Sequence, residues 1–448
     1  MIIKNIGSLC GILPEDVTRK CGAEMDKVEC LENAWLKVDD GIIIDFGPMD
    51  SCPAPDKNED CECDGDCHGE GGCNGDGHHG GGHCGGGGCH GGGCHGGCHH
   101  HDGEEVVDAA GGFVLPAFCD SHSHIVYAGS REGEFLDKLR GLSYEEIAAR
   151  GGGILNSADR LHECSEEDLF VQSMERVQEM MSFGSGAIEI KSGYGLSTED
   201  ELKMLRVIRR IKASVPARIK ATFLGAHAVP RGMSREAYVD KIISEMLPLV
   251  GKEELADFVD VFCDEGFFTP EDTAKILEAA ARYGLRPKIH ANELAVSGGV
   301  QVGVQHGALS VDHLERTTSE EIEALKGCST MPVMLPGSSF FLGLPYGNAR
   351  GFIDAGLPLA LASDYNPGSS PSGDMRFVMA LGCIKMRLTP AEAFNACTIN
   401  GAYAMGLEKE VGSITRGKRA NLIITKPIPS LTFIPYCYRT PFIRWILL

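Results

Sequence analysis

From residue 114 onward the chain repeats one unit, a short apolar run of strand length followed by a stretch with helical periodicity. The runs fall at 114–120, 186–191, 219–226, 258–263, 287–291, 309–312, 329–334 and 358–362. Between most of them lie amphipathic patterns such as EDELKMLRVIRRIKA (199–213) and EDTAKILEAAARY (271–283), whose apolar residues recur every three or four positions. Strands that alternate with helices pair in parallel, and eight such units close into a (β/α)8 barrel of the TIM type. A barrel of this kind carries its chemistry at the C-terminal ends of its strands.

Those ends are where the metal-ligand residues stand. FVLPAFCDSHSH ends in His122 and His124, RPKIHANE carries His290, and PLALASDYNP carries Asp364. Residues two apart on a strand point to the same side, so His122 and His124 can reach one ion. Three imidazoles and a carboxylate are a ligand set for a catalytic divalent metal such as zinc or iron. Taken singly, His290 is a core-edge histidine and Asp364 a helix cap; four such residues at strand tips of one barrel point to a metal-dependent hydrolase. His313 (SVDHLE), His227 (LGAHAVP), Tyr194 (KSGYG) and Glu293 fall on the same face. His162 and His306 sit in helical or loop stretches and read as structural.

At 448 residues the chain exceeds the usual size of one hydrophobic core, so two structural units are expected. A net charge of −22 argues against nucleic acid and anionic membranes as partners. It also requires a local cationic anchor for any anionic substrate. The N-terminus, MIIKNIGSLCGILPED, lacks a basic region followed by a long apolar core, so no signal peptide is expected. No uninterrupted apolar stretch approaches the length of a membrane span. Of 19 cysteines, 9 crowd into one segment and 10 are scattered. Scattered cysteines in apolar runs fit reduced, buried thiols, hence a cytoplasmic protein.

Residues 52–102 are foreign to the rest, almost wholly Gly, Cys, His and Asp, with 9 His beside the 9 Cys. The segment reads as a disordered insertion in a loop between two strands. Its thiols and imidazoles suit additional metal ions such as Zn, Ni and Cu(I), so metal handling is a second function to set beside the enzyme. The expected organisation is then residues 1–113 as the N-terminal part of a small β-sandwich domain (with 52–102 looped out), 114–407 as the barrel, and 408–448 as the C-terminal part of the small domain. The closing RTPFIRWILL is a last strand or a hydrophobic tail.

The motifs DSHSHIVYAGSRE, GGGI, EIKSGYGLS, FLGAHAVP, KIHANE, DHLE, SDYNPGSSP and TINGAYAMGL span most of the chain from about 106 to 436. Through them the chain resembles the amidohydrolase superfamily, and within it the imidazolonepropionase family of histidine degradation. The Gly/Cys/His segment departs from that family's pattern. The resemblance implies hydrolysis of the cyclic amide 4-imidazolone-5-propanoate to N-formimidoyl-L-glutamate, in a homodimer. It implies that His122, His124, His290 and Asp364 hold one divalent metal ion, Zn or Fe. Dinuclear barrels of this type bridge two metals through a lysine of the fourth strand; VDVFCDEG has none, and Lys191 of the second strand reads as a structural or substrate contact.

The resemblance also implies that Arg131 anchors the propanoate, with Tyr144, Tyr194, His227, Glu293, Asn366, Gly368 and Ser369 as further substrate contacts. Asp364, His313 and Glu293 are the catalytic candidates. Asp364 would move a proton from water to the leaving nitrogen, His313 would stabilise the oxyanion, and Glu293 would bind or protonate the ring. The principal base among the three stays open. Other amidohydrolase reactions, such as deamination or opening of a different cyclic amide, are the nearest alternatives.

Overall fold

The computed structural model describes residues 1–55, 104–142, 146 and 152–448. The Gly/Cys/His-rich segment from residue 56 on, and Tyr144, therefore lie outside the described residues.

The N-terminal strands are β1 (Ile2–Cys10), β2 (Cys30–Asp39), β3 (Ile42–Pro48), β4 (Val106–Asp108) and β5 (Phe113–Pro116). The barrel strands are β6 (Phe118–Asp120), β7 (Ser185–Lys191), β8 (Arg218–Ala226), β9 (Phe258–Cys263), β10 (Arg286–Ala291), β11 (Ser310–His313), β12 (Met331–Met334) and β13 (Ala360–Leu361). Two C-terminal strands follow, β14 (Leu422–Thr425) and β15 (Ile443–Leu447).

Strands β6 to β13 form one eight-stranded sheet in chain order, every adjacent pair parallel. A bridge between Ser123 and Tyr365 closes it into a barrel. His124 N donates to Tyr365 O and Asp364 N to His122 O, both at 2.9 Å. The seam of the barrel is thus sewn by the backbone of three metal-ligand candidates.

The helices between the strands begin on side-chain caps, which satisfy N–H groups that the first turn leaves without partners. Ser197 caps Thr198–Ser214, and Thr269 with Asp272 forms a capping box at Pro270–Ala281. Thr198–Ser214 buries Leu202, Leu205, Ile208 and Ile211 against the barrel. Each fully buried side chain of this size contributes about 1.5–3 kcal/mol.

The strand expected over 114–120 is instead two strands in two sheets. Pro116, at the end of β5, pairs with Leu422 of β14, and having no N–H it cannot extend a ladder. Ala117 N donates to Asn421 O, and Phe118 N turns to Gly184 O in the barrel. The second sheet runs β15-β14-β5-β1-β2-β3, with β4 also on β1, so strands from both chain ends build it. An antiparallel bridge from Ile42 to Arg419 brings edge strand β3 against the segment leading into β14. The curled sheet encloses its own core, including Ile3, Leu9, Leu36, Ile43 and Leu422. RTPFIRWILL supplies β15, antiparallel to β14. Among the described residues no helix is long and apolar enough to cross a membrane.

Candidate active site

Side chains from the tips of β6, β10, β11 and β13 converge inside the barrel mouth. His122 and His124 flank the extended Ser123, and their Nε2 atoms lie 3.2 Å apart. His290 Nε2 is 3.3 Å from His124 Nε2. Asp364 Oδ1 stands 3.6 Å from the Nε2 of both His122 and His124. One ligand atom from each of His122, His124 and His290 fits within a 4.8 Å cluster, as does one from each of His122, His313 and Asp364. Asn292, His313, Leu314 and Asp364 all hold left-handed φ, between +51° and +84°. Non-glycine residues pay for that conformation, and such strain gathers at functional sites.

The cluster is chemically fit for a cation. Burial first, then Lys191 and the neighbouring imidazoles, hold His122 and His124 well below the usual histidine range. Burial likewise takes His290 down to about 3. Three neutral imidazoles with nitrogens a few ångströms apart are unprotonated donors needing an acceptor between them. Behind them, His122 Nδ1 meets Asp312 Oδ2 at 2.7 Å and His290 Nδ1 lies 2.8 Å from Asp260 Oδ2. A carboxylate behind an imidazole places the proton on Nδ1 and aims the Nε2 lone pair inward.

Sequence reasoning missed this supporting layer. Asp260, Asp312, Glu189 and Lys288 are all fully enclosed. Lys191 Nζ contacts Glu189 Oε1 at 2.5 Å and Asp260 Oδ2 at 2.9 Å, and Lys288 Nζ pairs with Glu189. Lys191 is thereby a partner of buried carboxylates. The signal was present in the strands: a lone charge inside an apolar run (VDVFC, PKIHA) faces the barrel interior at period two. In register, Lys288 lies beside Asp260 and His290 beside Asp312.

Above the cluster opens a cavity of about 490 Å³. Of the expected site residues, His124, Arg131, Tyr194, His227, His290, Glu293, His313, Asp364, Asn366, Gly368 and Ser369 all line it. His122 lies beneath, fully enclosed. His313 faces Glu293 and Glu315 at 3.6 and 3.5 Å. Burial opposes its charge, but those two carboxylates outweigh burial and hold it well above the usual histidine range. Burial pushes Glu293 up to about 7 and Asp364 to about 6, with His313 opposing both. His227 Nδ1 meets Gly193 O at 3.0 Å, and burial lowers its pKa to about 4, so it is neutral.

Two expected contacts do other work as well. Asn366 Oδ1 accepts from Gly368 N and Ser369 N at 2.8 Å, and its Nδ2 donates to Asp364 O and Ser369 Oγ at 2.7 Å. That amide knits the loop after β13. Arg131 donates from Nε (2.9 Å) and Nη2 (2.5 Å) to Glu134 Oε2, so one edge of its guanidinium fork is already taken. His162, 74% exposed in its side chain, pairs with Asp200 and does not line the cavity.

An eight-stranded parallel barrel with imidazoles and carboxylates at its strand tips is a hydrolase scaffold. The Amidohydrolase family profile matches residues 113–442. The imidazolonepropionase of Flavobacterium johnsoniae is 50% identical over 100% of this chain and 98% of its own length. That of Thermoanaerobacter pseudethanolicus is 36% identical over 97% and 92%. Among solved structures, a triazine hydrolase variant superposes with a TM-score of 0.69 at 14% identity, covering 100% of this chain and 93% of its own. An adenosine deaminase from Xanthomonas campestris with bound zinc gives 0.61 at 15% identity, over 97% and 88%; both show the fold. The chain belongs to the amidohydrolase family, and within it to the imidazolonepropionases. It is a hydrolase, and its family and its histidine cluster imply a divalent metal.

Proposed function

We propose that the chain hydrolyses 4-imidazolone-5-propanoate to N-formimidoyl-L-glutamate, in the degradation of histidine. The observation that carries this reading is that Arg131 lines the same cavity as His124, His290 and Asp364. A substrate with a carboxylate at one end and a cyclic amide at the other needs a cation and a hydrolytic centre on one cavity.

His122, His124, His290 and Asp364 are the residues that would hold zinc or iron. When bound, such an ion polarises a carbonyl and makes water nucleophilic near pH 7. The side chains do the rest. Arg131 binds the propanoate by charge-assisted hydrogen bonds, and Tyr194 and His227 flank the ring. The Asp364 carboxylate takes a proton from the attacking water and passes it to the leaving ring nitrogen. His313, kept charged by Glu293 and Glu315, donates to the developing oxyanion. Glu293 binds the ring or protonates it. Asp364 is the base of this reading, with Glu293 the alternative, since a protonated His313 has no lone pair to take a proton. The apolar wall of Phe262, Phe267, Phe341 and Leu344 keeps bulk water from competing with these contacts.

The test is to add 4-imidazolone-5-propanoate to purified protein, with and without prior chelation, and to follow the loss of its ultraviolet absorbance. Metal-dependent turnover supports the reading; folded, metal-replete protein that leaves the absorbance unchanged overturns it.

The 9 Cys and 9 His of 52–102 support an accessory role, binding additional metal ions that reload the enzyme. Deleting the segment would then leave kcat intact in metal-replete buffer and slow recovery after chelation. A homodimer completes the proposal and is tested by light scattering.

A further inference from the structure

We propose that Lys138 is a specificity-determining residue, whose ammonium forms with Arg131 a two-cation seat for the substrate carboxylate. The proposal rests on the functional reading above.

Arg131 sits at the N-cap of the helix Glu132–Leu139, with Glu134 three positions on and Lys138 four beyond that. Residues at those spacings share one face of a helix, and all three line the cavity. Glu134 is committed. Its Oε2 takes Nε and Nη2 of Arg131, and its Oε1 accepts from Gly153 N and Asn156 Nδ2, both at 3.1 Å. The guanidinium is thereby fixed, with Nη1 turned toward Gly368. A Cβ on Gly368 would come within 2.3 Å of that nitrogen.

Lys138 differs from its neighbours. It is half-buried and lines the cavity, yet its ammonium makes no hydrogen bond or ion pair among the described residues. Burial, reinforced by the Arg131 cation, lowers its pKa from the usual lysine range. Phe135 and Phe341 line the same cavity and stack on each other, ring centroids 5.2 Å apart. Glu134 opposes the lowering of the Lys138 pKa from a distance, but a partly desolvated ammonium with no anion in contact is costly, and a bound anion relieves that cost.

The charges balance for a monoanion. Two cations against the one Glu134 carboxylate leave a single net positive charge at this wall. A protein of net charge −22 repels anions elsewhere, so the local excess selects a ligand with one carboxylate at this end.

Lys138→Met keeps the apolar stem and removes the charge. Initial rates on 4-imidazolone-5-propanoate and on its carboxamide counterpart separate an ionic contact from a packing effect. The expected result is a KM raised about tenfold or more for the carboxylate, kcat within about twofold, and no change for the carboxamide. Lys138→Arg should recover part of the loss. Equal effects on both substrates, or none on either, overturn the proposal. Calorimetric titration with 3-(imidazol-4-yl)propanoate, a stable carboxylate probe, separates this proposal from the functional reading. If the wild type turns over neither substrate, the functional reading fails, but weaker probe binding by Lys138→Met still supports the seat. Equal affinity, or no binding to the wild type, overturns it.

Discussion

Asp312 Oδ2 stands 2.7 Å from His122 Nδ1, with neither side chain exposed at all. The carboxylate fixes the imidazole tautomer, and a metal bound at Nε2 would gain basicity from it. Asp312→Asn keeps the volume and removes the charge. It should weaken metal binding about 10–100-fold, read by competition with a chromogenic chelator on protein shown by circular dichroism to be folded. Unchanged affinity would dismiss Asp312 as a supporting residue.

Removing the metal should cost stability as well as activity. A ligand that binds the folded state alone stabilises it by about 2.7 kcal/mol at a free concentration one hundred times its Kd. Without an ion, the neutral nitrogens of His122, His124 and His290 face one another at 3.2 and 3.3 Å with little to share. Chelated protein should therefore melt several degrees lower and lose turnover, with Zn(II) or Fe(II) restoring both. A melting temperature indifferent to chelation would mean that these residues do not hold the ion.

The barrel was legible because its period is written twice, in apolar runs and in the helical stretches between them. His122, His124, His290 and Asp364 were legible because strand tips are where a barrel places its chemistry. The switch of sheets at Pro116 was not, since β5 and β6 form one unbroken apolar run and their different partners, Leu422 and Ser185, lie far off in sequence. Asp260 and Asp312 were hidden for a related reason. A lone charge in an apolar run marks them as facing inward, but which imidazole each supports depends on parallel register with β10 and on distance, which no local pattern records. Glu134 and Lys138 sit on a short helix that reads as an ordinary solvated one, and only the cavity gives them a role.

Gly368 makes room for the anchor. A Cβ there would approach Arg131 Nη1 to 2.3 Å, and the arginine tip would have to loosen its hold on Glu134 and swing away while the fold stays intact. Gly368→Ala should raise KM with little change in melting temperature. Arg131→Ala should raise KM further, by on the order of 2–3 kcal/mol for a lost charge-assisted contact. Steady-state kinetics on both variants check this. An unchanged KM in Arg131→Ala would remove that residue from the substrate site.

Lys418 offers a pH test away from the catalytic cluster. Its Nζ donates to Ser413 Oγ at 2.7 Å, and its carbonyl accepts from Ile43 N at 2.8 Å, tying the last part of the chain to β3. Burial takes its pKa down to about 8, against about 10.4 in an unfolded chain. Between those values the unfolded chain binds the extra proton. Stability from this group therefore rises with pH, by up to about 1.4 kcal/mol per unit, and is lost as pH falls through about 8. Urea unfolding at several pH values from about 7.5 to 10.5 should show the wild type gaining on Lys418→Met by up to about 3 kcal/mol across that window. Parallel curves for the two proteins would mean that the amine is no less basic when folded than when unfolded, and that its burial costs the charged form nothing.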